Sequence, residues 1–449
     1  MRRAISIFVI LFSLALAATP PARSDEPKPV TAKEVEQLRA SAEKGDAASQ
    51  WKLGGLYEDG RGVPQHYGEA LKWYRLAADR GYDEAQNSVG KMYLGAKGVA
   101  KDYAEALKWF RLGAAQGFSK CENNLGVAFE FGNGVEKDYA EAMRWYRKAA
   151  DRGLSRAQNN LAKMFQMGRG VKADDAEAFR WFKRAADQGL TDAEVMVGWA
   201  YYNGRGVKQD DAEAYRWNRL AADAGDSNAQ NTIGVCFGTG RGVAKDEAEA
   251  ARWYRKSAEQ GNEYAENNLA WFYSQGRGVE KDDAQALAWF RKAALHGRVP
   301  AQHMLGWIYE QGRGAAVDAD RAAHWYREAA ERGWGESQVR MGRYCSEAAP
   351  PDLARAWMWF SLAAAGNEEG ATKLRDQVAA KMTPDQLIAA QNLAHDWKPK
   401  SESDPITAEP GLESATNATL AAATSRAPVP MPVTSRAAAN RRGWACSTR

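Results

Sequence analysis

Glycine recurs in this chain every 36 residues, at Gly45, Gly81, Gly117, Gly153, Gly189, Gly225, Gly261, Gly297 and Gly333. A tryptophan column runs in phase with it, at Trp73, Trp109, Trp145, Trp181, Trp217, Trp253, Trp289 and Trp325. A fixed period of this size marks a supersecondary unit that cannot bury its own apolar face and must stack on copies of itself. The 449 residues therefore extend along one axis instead of dividing into the two or three closed cores that such a length would otherwise suggest. Eight full units fill residues 46–333, and a ninth, shortened one ends near Gly366.

Each unit reads as two helices. In the unit from Tyr82 to Gly117, a first helix (A) is predicted over Asp83 to Leu94. Its repeated positions Ala85, Val89, Gly90 and Tyr93 are four, five and eight residues from the first, which places them on one helical face. A glycine turn follows, in most units Gly-Arg-Gly-Val, as at Gly168-Arg169-Gly170-Val171. The second helix (B) opens with an acid pair, Asp102 and Glu105, repeated as Asp138/Glu141, Asp174/Glu177, Asp210/Glu213 and Asp246/Glu249. Such a pair can cap the free N–H groups of a helix start, the aspartate forward and the glutamate back. Helix B carries Ala106, Trp109, Phe110 and Ala114 as an apolar face and ends at the glycine column, where a left-handed residue is needed. Small residues on helix A allow close approach, and the tryptophan of helix B fills the space between.

The segments Ala229-Gln230-Asn231-Thr232-Ile233-Gly234, Gly240-Arg241-Gly242-Val243 and Ala248-Glu249-Ala250-Ala251-Arg252-Trp253-Tyr254 closely resemble the Sel-one-like repeat family, relatives of the tetratricopeptide repeat. The resemblance covers residues 46–366. It implies an all-α fold, a right-handed α/α superhelical solenoid of antiparallel helix-turn-helix repeats, serving protein–protein interaction. The ninth unit departs from the pattern: Pro350-Pro351 replaces the glycine turn, and Trp359 stands seven residues before its glycine instead of eight.

The ends differ from the array. Arg2 and Arg3, the apolar run Ala4–Ala18 and the small residues after it read as an export signal over residues 1–24, which places the mature chain in the periplasm or outside the cell. The run is shorter than the ~20 residues of a spanning helix, an uncleaved anchor being the alternative reading, and no later apolar run could span a membrane. Thr31 with Glu34 starts a capping helix within residues 25–45; residues 367–397 read as C-terminal capping helices, the second opened by Thr383-Pro384-Asp385-Gln386. Residues 398–449 are rich in Ala, Pro, Ser and Thr without apolar periodicity and read as a disordered tail. Lys plus Arg is 61 against 57 for Asp plus Glu, a net +4, too diffuse for a nucleic-acid surface. Cys121 and Cys236 lie three repeats apart, about 25–30 Å at helix-packing distances, too far for a disulfide.

Catalytic constellations are absent. His66, His296, His303, His324 and His395 have no metal-ligand spacing, no phosphate loop occurs, and no cofactor is expected. Ser41-Ala42-Glu43-Lys44 fits the Ser-x-x-Lys of penicillin-recognising hydrolases, without the companion Ser-Asp-Asn and Lys-Thr-Gly motifs. It also matches an ordinary helix-B ending, Ser257-Ala258-Glu259-Gln260-Gly261. A cell-wall-active or penicillin-binding hydrolase, or a glycan-binding protein, is thus the alternative to a non-enzymatic scaffold.

The face of helix A opposite its fixed residues is the candidate groove for a protein or extended peptide. One column along it contains Asn87, Asn123, Asn159, Asn231, Asn267 and His303; a second contains Lys91, Lys163, Trp199, Trp271 and Trp307. Asparagine both donates and accepts, so a row of it can bond an extended main chain, or it can serve the repeat's own turns. Exposed tryptophans in one stripe have the composition of a binding hot spot, or they fill a tight superhelical interior.

Overall fold

The computed structural model describes residues 30–401, 404–407 and 409. These form twenty-one α-helices and no strand, in two units that meet at Lys137/Asp138. The export-signal segment and Cys446 lie outside the described residues.

The first unit holds α1 (Ala32–Glu43), α2 (Ala47–Asp59), α3 (Tyr67–Ala78), α4 (Asp83–Leu94), α5 (Tyr103–Ala115) and α6 (Ser119–Phe131). Each helix packs on the next in sequence. The capping box predicted at Thr31 and Glu34 is formed, with both reciprocal bonds. At α5, Asp102 accepts from the Ala104 and Glu105 N–H groups, but Glu105 does not cap back; its carboxylate pairs with Lys108. The half-box leaves the glutamate free to pair with the base one turn on.

The second unit begins with α7 (Tyr139–Asp151), α8 (Ser155–Met167), α9 (Asp175–Ala186), α10 (Thr191–Asn203), α11 (Asp211–Asp223) and α12 (Ser227–Thr239). It continues through α13 (Glu247–Ala258), α14 (Glu263–Gln275), α15 (Asp283–Leu295), α16 (Val299–Gln311), α17 (Ala319–Glu331), α18 (Gly335–Glu347) and α19 (Leu353–Ala365). The shorter α20 (Ala371–Ala379) and α21 (Pro384–Asp396) both pack on α19 and close this end. The capping box at Thr383 and Gln386 is formed. Helix B tryptophans supply core: Trp181, Trp217 and Trp253 are buried and Trp325 is fully so.

Three contacts recur from one repeat to the next. The second glycine of each turn lies against the start of the preceding helix B. A Cβ at Gly206 would stand 2.0 Å from the Asp175 carbonyl oxygen, and at Gly242 and Gly278 2.0 Å from those of Asp211 and Glu247. The arginine between the turn glycines reaches the same helix start: Arg205 bonds Asp175 at 2.9 Å, Arg241 bonds Asp211 at 2.7 Å and Arg277 bonds Glu247 at 2.9 Å. These pairs are partly exposed, so each contributes under about 1 kcal/mol; their value is in register. The third contact is buried. Gln158, Gln230, Gln302 and Gln338 each donate to a carbonyl eight residues earlier, at the end of the preceding helix B, over 3.1–3.2 Å. Gln50 and Gln86 do the same in the first unit.

Glutamate replaces this glutamine at Glu194 and Glu266 in the second unit, both buried. Burial alone pushes the Glu194 carboxyl above its ordinary range. Glu266 instead meets His296 Nδ1 at 2.8 Å, and that hydrogen bond holds His296 above the usual histidine value against the opposing effect of burial.

Past α21 the described residues have no regular secondary structure, yet they are packed. The Lys400 N–H donates to the Glu331 carbonyl at 2.8 Å, Arg332 Nη2 donates to the Asp404 carbonyl at 2.9 Å, and Ile406 joins the apolar cluster of the last repeats. Composition predicts disorder from residue 398 onward; what composition does not register is that Ile406 and Glu409 are individually matched to partners on the array. Residues 410–449 lie outside the described residues.

Two outcomes follow from these contacts. Gly189→Ala and Gly206→Ala share similar left-handed backbones, φ 77° and 73°, but only Gly189 has open space around it. Gly189→Ala should cost about 1–2 kcal/mol, and Gly206→Ala about 2 kcal/mol more, read from urea midpoints; equal costs would show that the turn does not seat on the preceding helix. For His296 the raised folded value means that its stabilisation is present below the ordinary histidine pKa and lost as pH rises through the folded one. His296→Ala should therefore lower the thermal midpoint near pH 5.5 and leave it unchanged by about pH 9. The effect stays below about 1 kcal/mol because the ring is 40% exposed.

Candidate functional site

The two helix-A columns singled out from sequence fall in both units, and each stretch stands by itself. In the first unit Asn87 is half-buried, Asn123 is buried and Lys91 is exposed. Asn87 Oδ1 accepts from Asn124 Nδ2 at 2.8 Å, one repeat on. In the second unit Asn159 and Asn267 are buried and Asn231 is half-buried; Asn231 Oδ1 accepts from Asn268 Nδ2 at 3.0 Å. His303 is likewise engaged across a repeat boundary, with Nδ1 2.8 Å from Ser337 Oγ and Nε2 3.1 Å from Glu336. That hydrogen bond holds the Glu336 carboxyl below its ordinary value. At Asn87, Asn231 and His303 the column therefore stitches neighbouring repeats. The asparagine that follows each column residue, Asn124 and Asn268, was the available sequence signal for this ladder.

The other column in the second unit keeps more open surface. Lys163, Trp199, Trp271 and Trp307 are all half-buried. Trp271 sets its ring edge-on to Phe290 at 5.5 Å, while Trp199 and Trp307 are each overlain by a turn arginine, Arg205 at 5.6 Å and Arg313 at 5.3 Å. Each indole thus has one side on the protein and part of its area toward solvent.

A further site, not anticipated from sequence, lies among α15, α16 and α17, where the tail returns. Glu409 is 6% exposed. Its carboxylate accepts from Arg291 Nη2 at 2.6 Å and from the Tyr309 hydroxyl at 2.8 Å, with Arg321 Nε 3.8 Å away. Burial, then the bond to Glu409, pushes the Tyr309 hydroxyl up. Beside it the Thr407 hydroxyl donates to Glu328, which also pairs with Arg332; these two side chains are only 2% and 1% exposed. Burial raises the Glu328 carboxyl, but the bonds from Thr407 and Arg332 outweigh it and hold the group below its ordinary value. The polar contacts of Lys400, Thr407 and Glu409 with α15, α16 and α17 fall at Arg291, Tyr309, Arg321, Glu328 and Glu331, outside the two helix-A columns.

Ser41 Oγ accepts from Ser49 Oγ at 3.1 Å, and Lys44 is the exposed cap of α1. Among the described residues no group of three or more His, Cys, Asp or Glu could hold a metal ion. Cys121, Cys236 and Cys345 are free thiols, with burial pushing the Cys121 and Cys236 thiols up to about 12 and about 11. Among the described residues no helix is long and apolar enough to cross a membrane.

The comparisons agree with this architecture. Nine consecutive segments, 47–82, 83–118, 119–154, 155–190, 191–226, 227–262, 263–297, 299–334 and 335–368, match the Sel1 repeat. A Sel1 repeat protein from Oxalobacter formigenes is 33% identical over 69% of this chain and 89% of its own, with a TM-score of 0.52. The c5321 protective antigen of uropathogenic Escherichia coli, described as displaying an SLR fold, is 32% identical over 81% of this chain and 94% of its own, with a TM-score of 0.50. No curated protein matches the chain significantly. An all-α solenoid of stacked helix pairs, with the repeat found along nine consecutive segments, makes this chain a member of the Sel1 repeat family, whose members are generally non-catalytic helical scaffolds for protein–protein interaction.

Proposed function

We propose that the chain is an exported scaffold that holds a protein or an extended peptide against helix A of its repeats, as an adaptor or regulator of envelope or signalling proteins. Export is supported by the arginine pair, the apolar run and the small residues at the N-terminus. The observation that carries the binding reading is the tryptophan column. Trp199, Trp271 and Trp307 occupy a position that is Gly55, Lys91 or Val127 elsewhere, so the fold does not require an indole there. Large, rigid and half-buried, such rings supply contact area at little cost in lost side-chain freedom. The asparagine column contributes less to a peptide site than its regularity suggests, because Asn87 and Asn231 spend their carbonyl oxygens on the next repeat. Their amide N–H groups and the exposed Lys91 remain to contact a partner.

Cross-linked capture from the cell envelope tests this reading. Trp271→Ala with Trp307→Ala should weaken capture of the partner by about thirtyfold, the loss of about 2 kcal/mol typical of a hot-spot aromatic, with the helical signal retained. Undiminished capture by a folded double variant would remove helix A as the binding face.

A further inference from the structure

The site that holds Glu409 is one copy of a repeated arrangement. Its arginine, tyrosine and third residue, Arg291, Tyr309 and Arg321, have counterparts 36 residues earlier in Arg255, Tyr273 and Gln285. There Arg255 donates directly to the Tyr273 hydroxyl, with no carboxylate between them. A cavity of about 790 Å³ opens at this point, lined by Arg255, Tyr273, Lys281, Gln285 and Trp289 among others. None of the helix-A column residues lines it.

The third residue explains why the arrangement is confined to this end. It stands on the first turn of helix B and is glutamate in the earlier repeats, at Glu105, Glu141, Glu177, Glu213 and Glu249. A glutamate there would repel an incoming carboxylate. The column becomes neutral at Gln285 and positive at Arg321, the residues that follow the pairs Arg255–Tyr273 and Arg291–Tyr309. The earlier pairs Arg39–Tyr57 and Arg75–Tyr93 are followed by Glu69 and Glu105 and lack this permission. Glu259, Glu280 and Asp282 also line the open cavity; the two glutamates are exposed to solvent and free to turn away, and the Asp282 carboxylate is engaged as the N-cap of α15, accepting from the Ala284 and Gln285 N–H groups, as Asp318 caps α17 at the site that holds Glu409.

We propose that the Arg255–Tyr273–Gln285 cavity is a socket for a carboxylate side chain presented by an extended segment of a partner protein. Arg291, Tyr309 and Arg321 hold Glu409 of the chain's own tail in just this way. The bound segment enters without regular secondary structure, with its acid three residues after an apolar residue, as Ile406 precedes Glu409. Arg255 Nη2 and the Tyr273 hydroxyl exchange their mutual bond for two bonds to the carboxylate, and Gln285 offers an amide N–H where Arg321 offers its guanidinium. The socket shares no residue with the tryptophan column.

The probe is a fluorescent synthetic peptide with the sequence of residues 400–412, titrated into the full chain and read by anisotropy. Saturable binding is expected, weakened about tenfold by Arg255→Gln or Tyr273→Phe in the protein and by Glu409→Gln in the peptide, since a charge-assisted pair is lost in each case. Arg255 is exposed and Tyr273→Phe keeps the ring, so at least one variant retains the fold; its helical signal is checked first. No saturable binding, or binding indifferent to the protein variants, would overturn the proposal; the second result would mean that the peptide merely displaces the resident tail at Arg291. Concentration-dependent dimerisation of the unlabelled chain, abolished by Glu409→Gln, would also overturn it by assigning the socket to the tail of a second copy.

Discussion

The seating of each glycine turn on the first turn of the preceding helix B is the contact on which the rest of the fold depends. A turn that approaches backbone to within 2.0 Å of a would-be side-chain carbon admits one register only. The neighbouring contacts reinforce that register: the turn arginine pairs with the acid at the same helix start, and a buried glutamine bonds the far end of the same helix. One end of helix B is thus tied by the turn and, where the glutamine is present, the other by its amide. Every tie reaches only the adjacent repeat, so stability accumulates from nearest-neighbour terms.

This division of labour leaves other positions free to diverge. The second turn glycine is the same in every repeat from Gly62 to Gly314, whereas the helix-A column changes from lysine to valine to tryptophan, and the third residue of helix B changes from glutamate to glutamine to arginine. Divergence at a position that the fold does not use is where binding specificity is built. Two such positions have become distinctive toward the C-terminal end of the second unit: the tryptophans on helix A, and the Arg–Tyr sockets, one of them filled by the tail.

The period, the two helices of each repeat, their small and aromatic core residues and the capping boxes at Thr31 and Thr383 were legible in the sequence, because each is a local rule repeated in phase. What escaped was pairwise and distant. The bond from Asn124 to Asn87 spans 37 residues, and Arg291 meets Glu409 across 118; no local pattern encodes either. Composition described the tail as lacking apolar periodicity and missed that Ile406 and Glu409, with Lys400, Asp404 and Thr407, dock it on the last repeats. The acid pairs at helix B were half right: the aspartate caps, but the glutamate turns to the base one turn on, and Glu177 and Glu213 also accept from the indole N–H of Trp181 and Trp217.

If register is set by neighbour-to-neighbour ties alone, removing one whole repeat should leave a shorter array of the same kind. In-frame deletion of residues 227–262 joins Asp226 to Glu263; it would set the turn at Gly278 and Arg277 on Asp211 at the start of α11 and put Glu266 where Gln230 bonds the Ala222 carbonyl. Circular dichroism with urea unfolding is the direct test. The shortened chain should keep its helical signal per residue and still unfold cooperatively, at a somewhat lower midpoint. Loss of cooperative unfolding, or collapse of the helical signal, would show that the repeats are held by a closed core and not by their neighbours.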